Sequence, residues 1–400
     1  MNNATHNEMS VNKAWSGRGT LKDLVAELYR QKATKLDVCV DVREMFVRAE
    51  KGGANDGGLS LCPNSAQSSE FLPATGLPIS TSALCQIGER VEPNIPAKFA
   101  KEIAEKRPGR AAELFSGLMH DTGKRNLVRC LDGRVRAFLS DKYRVLENYD
   151  VAFAALDVAR AKGAEVLEAS LSDKTMRIKM VCREVWDVID ATRAGDKGGW
   201  FAGGLGSNEY LGRVAARSGG ELPGGAGTIW PVVTIGNSET GHGGLFARLG
   251  ILHGVCFNLA TVESVVAQVH LGEKVAAGVL TAEAIQADSK AIMLKVRDSI
   301  ASAFDLKKFK EIVARIKGAN EDQIAAPSLA VGNLIENTDL PESARDSILE
   351  HFLRDYKATR YGLSQAVARA AQDVADGDDA AGMEAIAGKL VEVGGGSLLN

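Results

Sequence analysis

Seven basic side chains within twenty-one residues form the clearest chemical signal in the sequence. They are Lys124, Arg125, Arg129, Arg134, Arg136, Lys142 and Arg144, and Tyr143 lies among them. Cations neutralise phosphate groups and an aromatic ring stacks on a nucleobase, which is the combination that single-strand binders use. The alternative is a solvated strand face whose charges pair with acidic residues elsewhere. These eight residues are our candidate nucleic-acid contacts.

A β-hairpin is expected to position these residues. Asp132-Gly133 is a strong two-residue turn signal, because both turn positions need positive φ. The turn pairs Leu127–Leu131 with Arg134–Leu139 and sets Arg129 opposite Arg136. One face then carries Val128, Cys130, Val135 and Ala137, and the other carries Arg129, Arg134 and Arg136. Like charges across a ladder are destabilising, so we expect an anion to relieve the repulsion. Alanine at both Arg129 and Arg136 should then weaken binding and leave the fold intact.

The motifs that could carry catalysis or bind a nucleotide or metal are weak. The glycines Gly203, Gly204 and Gly206 fit neither a P-loop nor GxGxxG after a strand. Residues 236–241 (GNSETG) resemble a nucleophile elbow but are one residue too long, so a tight turn between strands is favoured. His242, His253, Cys256 and His270 are the residues most suited to a metal. Their spacing is poor for zinc and favours structural roles, although a metal site is left open.

The surrounding pattern predicts the elements that carry these residues. Thr20 and Asp23 predict a capped first helix, followed by a strand at residues 36–42. Residues 51–82 and the glycine-rich insertion 195–227 are expected to be loops. Asp173-Lys174 predicts a second hairpin that pairs Leu171 with Met176 and Leu167 with Met180. Further helices are expected at 82–90, 97–119 with a break at Pro108, 148–162, 262–269, 281–304, 305–317, 341–357 and 363–375, and further strands at 230–235 and 245–256.

Hairpins without βαβ alternation predict an α+β fold with a central antiparallel β-meander, packed helices and a helical C-terminal third. We expect an N-terminal helix, strand and loop at 1–70, an α+β core at 71–270, a helical region at 271–380 and a disordered tail at 381–400.

Composition and charge limit the class of protein. Six scattered cysteines without a CxxC pair are typical of reduced cytosolic thiols. No apolar run approaches the roughly 20 residues of a membrane span, and residues 1–10 lack the apolar region of a signal peptide, so we expect a cytoplasmic protein without a membrane partner. Residues 98–144 carry twelve basic and six acidic side chains, whereas residues 319–400 carry six and fourteen. The acidic region is a candidate surface for a protein partner.

The motifs also resemble a known family. RNLVRCLDGRVRAFLSDKYRVLENYDV, with ALCQIGERVEPNIPAKFAKEI, GNSETGHGGL, GVCFN, VHLG and TRYGLSQAVARAAQD in the same order, is similar to the phage/plasmid-like protein family, a domain of unknown function. The resemblance covers about residues 71–376 and implies a phage or plasmid setting in a bacterial host. The order of helix 148–162, antiparallel strands and helix 262–269 is similar, more distantly, to Rad52-like annealing proteins, a fold-level analogy that does not establish function.

Three hypotheses follow. The first is a phage or plasmid protein that binds single-stranded DNA as an oligomer, with annealing as a further activity, and that uses no cofactor and no catalytic residues. The second is an interaction protein that modulates a host system through the acidic C-terminal region. The third, and weakest, is an enzyme, such as a metal-dependent hydrolase, built around Ser238, Glu239, His242 and His270.

Overall fold

The chain adopts a mixed α+β fold with antiparallel sheets and a helical C-terminal region, as its sequence predicts. The computed structural model describes residues 17–50, 58–143, 145–189, 227–253, 259–266, 282–392 and 394–399. Arg144, Cys256, His270 and most of the glycine-rich insertion lie outside these ranges. None of the helices within the described ranges is both long enough and apolar enough to cross a membrane.

The described residues form thirteen strands and eleven α-helices. The strands are β1 (Gly17–Gly19), β2 (Leu36–Asp41), β3 (Met45–Ala49), β4 (Leu59–Pro63), β5 (Leu77–Pro78), β6 (Arg125–Leu131), β7 (Arg134–Ser140), β8 (Glu165–Leu171), β9 (Met176–Val181), β10 (Asp187–Val188), β11 (Thr228–Asn237), β12 (Phe246–His253) and β13 (Leu259–Val266). The helices are α1 (Leu21–Thr34), α2 (Thr81–Arg90), α3 (Ala97–Lys106), α4 (Pro108–Thr122), α5 (Asn148–Ala161), α6 (Ala282–Ala303), α7 (Leu306–Glu321), α8 (Pro327–Glu336), α9 (Arg345–Asp355), α10 (Arg360–Ala370) and α11 (Gly377–Val391).

The largest sheet is an antiparallel meander with the order β1-β8-β9-β11-β12-β13, and β10 pairs with β11. Helix α5 precedes the meander, α6 follows it, and the two helices pack together. Ala169, Ile178, Val233 and Leu249, one from each of four strands, share one buried cluster with Val151 of α5. The helix expected at 262–269 is wrong, because residues 259–266 form β13, which pairs with β12.

A second unit contains two three-stranded sheets, β2-β6-β7 and β3-β4-β5, packed with α2, α3 and α4 around an apolar core of its own. Strands β4 and β5 lie inside residues 51–82, where the sequence predicted only a loop. The capping box between Thr20 and Asp23 and the helix break at Pro108 are both present.

The Asp132-Gly133 hairpin forms, with φ of 53° and 72° at its two turn residues. Leu131 pairs with Arg134 and Cys130 with Val135, as expected. A β-bulge then shifts the register by one residue, so Arg129 lies opposite Ala137 instead of Arg136. Phe138, not Ala137, consequently lies opposite Val128 and joins the apolar core.

The second hairpin shows the same kind of difference. Leu171 pairs with Met176 as the sequence predicts, but a bulge places Val166, not Leu167, opposite Met180. Such an extra residue in one strand is a feature that a period-two pattern does not reveal.

Helices α8 to α11 surround a third apolar core, which includes Leu334, Phe352, Leu363 and Leu390. We call residues 327–399 the C-terminal module. Helix α11 occupies residues 377–391 and has buried residues along its length, in place of the disorder expected for residues 381–400. Its aspartate cap at Asp376 and its small apolar residues explain why it forms a helix.

Candidate nucleic-acid interface

Arg129 of β6 is fully buried, with 0 % of its side chain exposed. Its guanidinium donates to the carboxylates of Asp37 at 2.7 Å and Glu147 at 2.8 Å, and to the carbonyl oxygen of Glu239 at 2.6 Å. Burial alone would lower the pKa of Arg129, but the hydrogen bond and charge of Asp37, with the charges of Glu239 and Glu147, raise it. This side chain therefore has no free surface for a phosphate.

The carboxylate of Glu239 forms an ion pair with Arg136, the second arginine of the predicted basic face. This carboxylate lies 2.8 Å from the guanidinium of Arg136 and accepts a hydrogen bond of 2.6 Å from Lys35 Nζ. The backbone N–H of Asn148 also donates to it, at 2.6 Å. Burial would raise the pKa of this carboxyl, but the charges of Arg136 and Lys35 lower it to about 2. Glu239 is therefore ionised at neutral pH.

We call this set the buried charge cluster: Lys35, Asp37, Arg129, Arg136, Glu147 and Glu239. Arg129 and Glu239 are its most buried side chains, whereas Asp37 and Glu147 reach solvent at its edge, with 27 % and 32 % of their side chains exposed. Three carboxylates oppose three cations, so the repulsion that we expected across the hairpin is compensated within the chain. The three cations and Asp37 belong to the unit of β2, β6 and β7. Glu147 and Glu239 belong to the large-sheet unit, where Glu147 precedes α5 and Glu239 follows β11. The face that the sequence presented as basic is thus the contact between the two units.

Three of the predicted residues are exposed, at the end of the hairpin away from its turn. Lys124 forms an ion pair with Glu92, and Arg125 donates to the carbonyl oxygen of Cys39. Lys142 follows β7 and is exposed to solvent. Lys124 and Arg125 border a cleft of about 730 Å³, whose lining includes Glu89, Arg90, Val91, Glu92, Asn94, Lys124, Arg125, Asn126, Ser140 and Asp141, the residue before Lys142.

The other predicted residues are less available. Tyr143 is half-buried, and its hydroxyl donates to the carbonyl oxygen of Ser238 at 2.8 Å. Arg134 is also half-buried, next to the turn. Arg144 lies outside the described residues. The structure therefore brings Arg129 and Arg136 together in the interior and leaves Lys124, Arg125 and Lys142 as a separate exposed group.

An exposed aromatic group lies near the other end of the hairpin. Tyr29 of α1 is 52 % exposed and meets Tyr149 of α5 edge to face, with ring centroids 5.1 Å apart. Phe153 adds a third ring, and Lys32 Nζ lies 4.7 Å from the centre of the Tyr149 ring. The neighbouring Arg30 binds Asp132 of the hairpin turn at 2.7 Å. Flat rings beside cations provide a surface on which a base can stack.

The turn at residues 236–242 has a structural role in this geometry. Ser238 Oγ donates to the carbonyl oxygen of Lys174 at 2.6 Å, and His242 Nε2 contacts the hydroxyl of Ser82. Gly241 has a φ of 78°, and a Cβ there would lie 2.7 Å from Leu139 Cδ2. Ser238, Glu239 and His242 therefore do not form a nucleophile–base pair, since each side chain has a different partner.

Metal binding finds little geometric support in the described ranges. No group of three or more His, Cys, Asp or Glu side chains there has an arrangement that could hold a metal ion. His253 is buried, with its ring centre 6.4 Å from that of Tyr361, and burial lowers the pKa of His242. Cys256 and His270 lie outside the described residues.

Comparison with protein-family models, curated proteins and solved structures finds no match for this chain. The resemblance to the phage/plasmid-like family, and the more distant one to annealing proteins, remain predictions from ordered motifs and element order.

The sequence identified the cations of the hairpin but missed their acceptors. Asp37 and Glu239 lie 92 and 110 residues from Arg129 along the chain, so no local pattern connects them. A second cationic surface was also missed, on β1, β8, β9 and β12. Alternation along β9 would have placed Arg177 and Lys179 on one face, but the strands that complete this surface are distant in sequence.

Proposed function

We propose that the protein binds single-stranded DNA through the exposed cations at the open end of the β6–β7 hairpin. The observation that carries the proposal is that Lys124 and Arg125 line one cleft and that Lys142, next in sequence to its lining residue Asp141, is exposed. Each is a long side chain that reaches solvent and can neutralise a phosphate with release of a counterion. Arg129 and Arg136 are not part of this contact, since the buried charge cluster occupies them.

The exposed ring of Tyr29 supplies base stacking better than the ring of Tyr143, which is half-buried. A base on an aromatic ring contributes about 1–3 kcal/mol, and stacking tolerates any sequence because every base has a π-face. Stacking requires an unpaired base, so this feature favours single-stranded over duplex DNA. An oligomer would repeat both contacts along one strand, and annealing would be an additional activity of such an assembly.

The test is binding of a fluorescein-labelled single-stranded oligonucleotide by anisotropy, with duplex competitor and a salt series. We expect the triple variant Lys124→Ala, Arg125→Ala, Lys142→Ala to bind at least ten-fold more weakly and to reduce the slope of log K against log salt by about 2. The matched control is Lys307→Ala, Lys310→Ala, Lys317→Ala, which removes three exposed lysines from α7. Equal affinity of both triple variants would refute the assignment.

A second variant separates stacking from charge. Tyr29→Ala should weaken binding to single strands and leave the salt slope unchanged, because no phosphate contact is lost. Tyr29→Phe should retain most of the affinity. If alanine and phenylalanine behave alike, Tyr29 is not a stacking residue.

A further inference from the structure

The two faces of the large sheet have different chemistry. One face is apolar and packs against α1, α5 and α6. On the other face, the register aligns Arg18, Ser170 and Arg177 in one cross-strand row, and Glu168, Lys179, Thr234 and Arg248 in the next. We call this second surface the cationic sheet face. It carries four cationic side chains and one carboxylate, an excess of positive charge on a surface that lies mostly beneath other elements.

The C-terminal module covers this face with carboxylates. Asp378, in the first turn of α11, accepts hydrogen bonds from Ser172, Thr175 and Arg177. Glu384, six residues later on the same helix, accepts from Lys179 Nζ at 2.6 Å. Two of the acidic residues that gave the C-terminal region its charge are therefore bound to the chain's own cations.

The contact is polar at β8 and β9, where the two carboxylates lie, whereas Tyr361 and Val391 of the module join the apolar core of the large sheet. Arg18 forms an ion pair with Glu168 at 2.6 Å and extends to the carbonyl oxygens of Gln372 and Val374 at 3.4 Å. A cleft of about 330 Å³ separates the turn of the β8–β9 hairpin from the start of α11, and its lining includes Lys174, Arg177 and Asp378. Charged contacts of this kind exchange with another anion more readily than an apolar contact does.

The carboxylates of the module do not compensate the whole face. Arg248 is half-buried, and its guanidinium lies 4.3 Å from the centre of the Phe246 ring. Burial, followed by the nearby charge of Arg177, lowers the pKa of Arg248. Among the described residues, no carboxylate forms an ion pair with it. A cation that is partly removed from water and lies beside another cation is a favourable position for an incoming anion.

We propose that the cationic sheet face is a second binding surface for single-stranded nucleic acid, and that Asp378 and Glu384 of the C-terminal module occupy it when nucleic acid is absent. The proposal rests on the proposed function. The hydroxyls of Ser172 and Thr175 and the guanidinium of Arg177 now bind a carboxylate, and the same donors suit phosphate oxygens. Nucleic acid and the module compete for one set of cations, so each weakens the binding of the other.

The experiment removes the two carboxylates in the full chain. Asp378→Asn/Glu384→Gln is compared with Asp346→Asn/Glu350→Gln, which makes the same change in net charge at exposed positions of α9. We expect the first variant to bind a labelled single strand at least ten-fold more tightly than the wild type, and the control to change affinity less than two-fold. Adding Arg177→Gln and Arg248→Gln to the first variant should abolish the gain. Equal affinity of the two double variants would overturn the proposal.

Hydrogen exchange gives a second readout that does not depend on a variant folding. In the wild type, a saturating concentration of the single-stranded oligonucleotide should increase amide exchange in α11 and decrease it in β8 and β9. The reason is that the module leaves the sheet face that the oligonucleotide then occupies. Unchanged exchange in α11 at saturation would overturn masking by the module.

A third experiment distinguishes failure of this proposal from failure of the proposed function. The carboxylate variants are repeated with Lys124→Ala, Arg125→Ala, Lys142→Ala in the same chain. If the triple substitution has no effect on wild-type affinity but Asp378→Asn/Glu384→Gln still binds more tightly, the hairpin assignment fails and the masked face stands. If the triple substitution abolishes binding and the carboxylate variant gains nothing, only the masked face fails.

Discussion

Arg129 is held by three acceptors from separate parts of the chain, and it has no access to water. Arg129→Ala would leave Asp37 without its cation, Glu147 with Lys35 as its remaining cation, and the carbonyl of Glu239 without its donor. Removing one partner of a buried ion pair costs about 3–5 kcal/mol. The carboxylates of Asp37 and Glu147 are partly exposed and can be solvated, so we expect a loss of about 3 kcal/mol in the free energy of unfolding. Urea denaturation measures it. The sequence predicted that alanine at Arg129 and Arg136 would leave the fold intact, whereas the structure leads us to expect that Arg129→Ala destabilises it.

Arg125→Ala is the matched control for Arg129→Ala. Arg125 lies four residues from Arg129 on the same strand, but it is exposed, and its side chain donates to the carbonyl of Cys39. We expect less than about 0.5 kcal/mol of change in unfolding free energy. Similar effects for the two arginines would show that the buried charge cluster does not hold Arg129 as the distances indicate.

Glu239 makes stability depend on acid. Its pKa in the folded chain is about 2, below the ordinary value of 4.5, so the folded state favours the ionised carboxylate. The stabilisation is complete above pH 4.5 and is lost as pH falls through about 2. The shift corresponds to roughly 3 kcal/mol. We expect Glu239→Gln to lower the melting temperature at pH 7 and to narrow its difference from the wild type as pH falls towards 2.5. A constant difference over that range would contradict the assignment.

At the scale of elements, the β6–β7 turn is the best-specified local feature. Asp132 and Gly133 both have positive φ, and a Cβ on Gly133 would meet no neighbouring atom within 4 Å. Gly133→Ala therefore tests backbone conformation alone, and we expect a loss of about 1–2 kcal/mol. Gly117→Ala is the control, since this exposed glycine in the middle of α4 also has free space around it. There, alanine should stabilise the helix by about 0.5–1 kcal/mol, measured by urea denaturation. The same sign at both positions would contradict the turn geometry.

Local chemistry explains which elements the sequence could predict. The Asp-Gly turn, the Thr20 capping box and the break at Pro108 are each set by a few adjacent residues, and all are present. Residues 262–269 mislead because Val262, Val265, Val266 and Val269 have helical spacing. Pairing with β12 decides the structure there. The bulge beside Arg129 depends on contacts across the sheet, so the register of the predicted basic face could not be read from the hairpin alone.

In the whole molecule, two apolar cores are connected by ion pairs between charged side chains. The core of β2, β6 and β7 and the core of the large sheet each contain their own buried aliphatic residues. Between them lies the buried charge cluster, together with the side-chain amide of Gln86, which donates to the carbonyl of Thr240 at 2.6 Å. The candidate site was predictable as a set of cations, but its exposure was not, because exposure depends on how these units dock. The interface between units is consequently where one substitution should change cooperativity as well as stability.

Glu239→Ala should separate the unfolding of the two units. It leaves Arg136, in the unit of β2, β6 and β7, without the carboxylate that joins it to the large-sheet unit, and leaves Lys35 with Glu147 alone, while both apolar cores remain complete. We expect amides of β6 and β7 to exchange through an opening of lower free energy than amides of β9 and β11, as cooperative units separate. Native hydrogen exchange in low urea, resolved by peptide mass spectrometry, measures both. The control Glu350→Ala removes an exposed ion pair with Arg354. It should leave unchanged the difference in opening free energy between the amides of the two sheets. An equal fall in protection of both sheets in Glu239→Ala would mean that they unfold as one body, with the charge cluster contributing stability but not the connection between units.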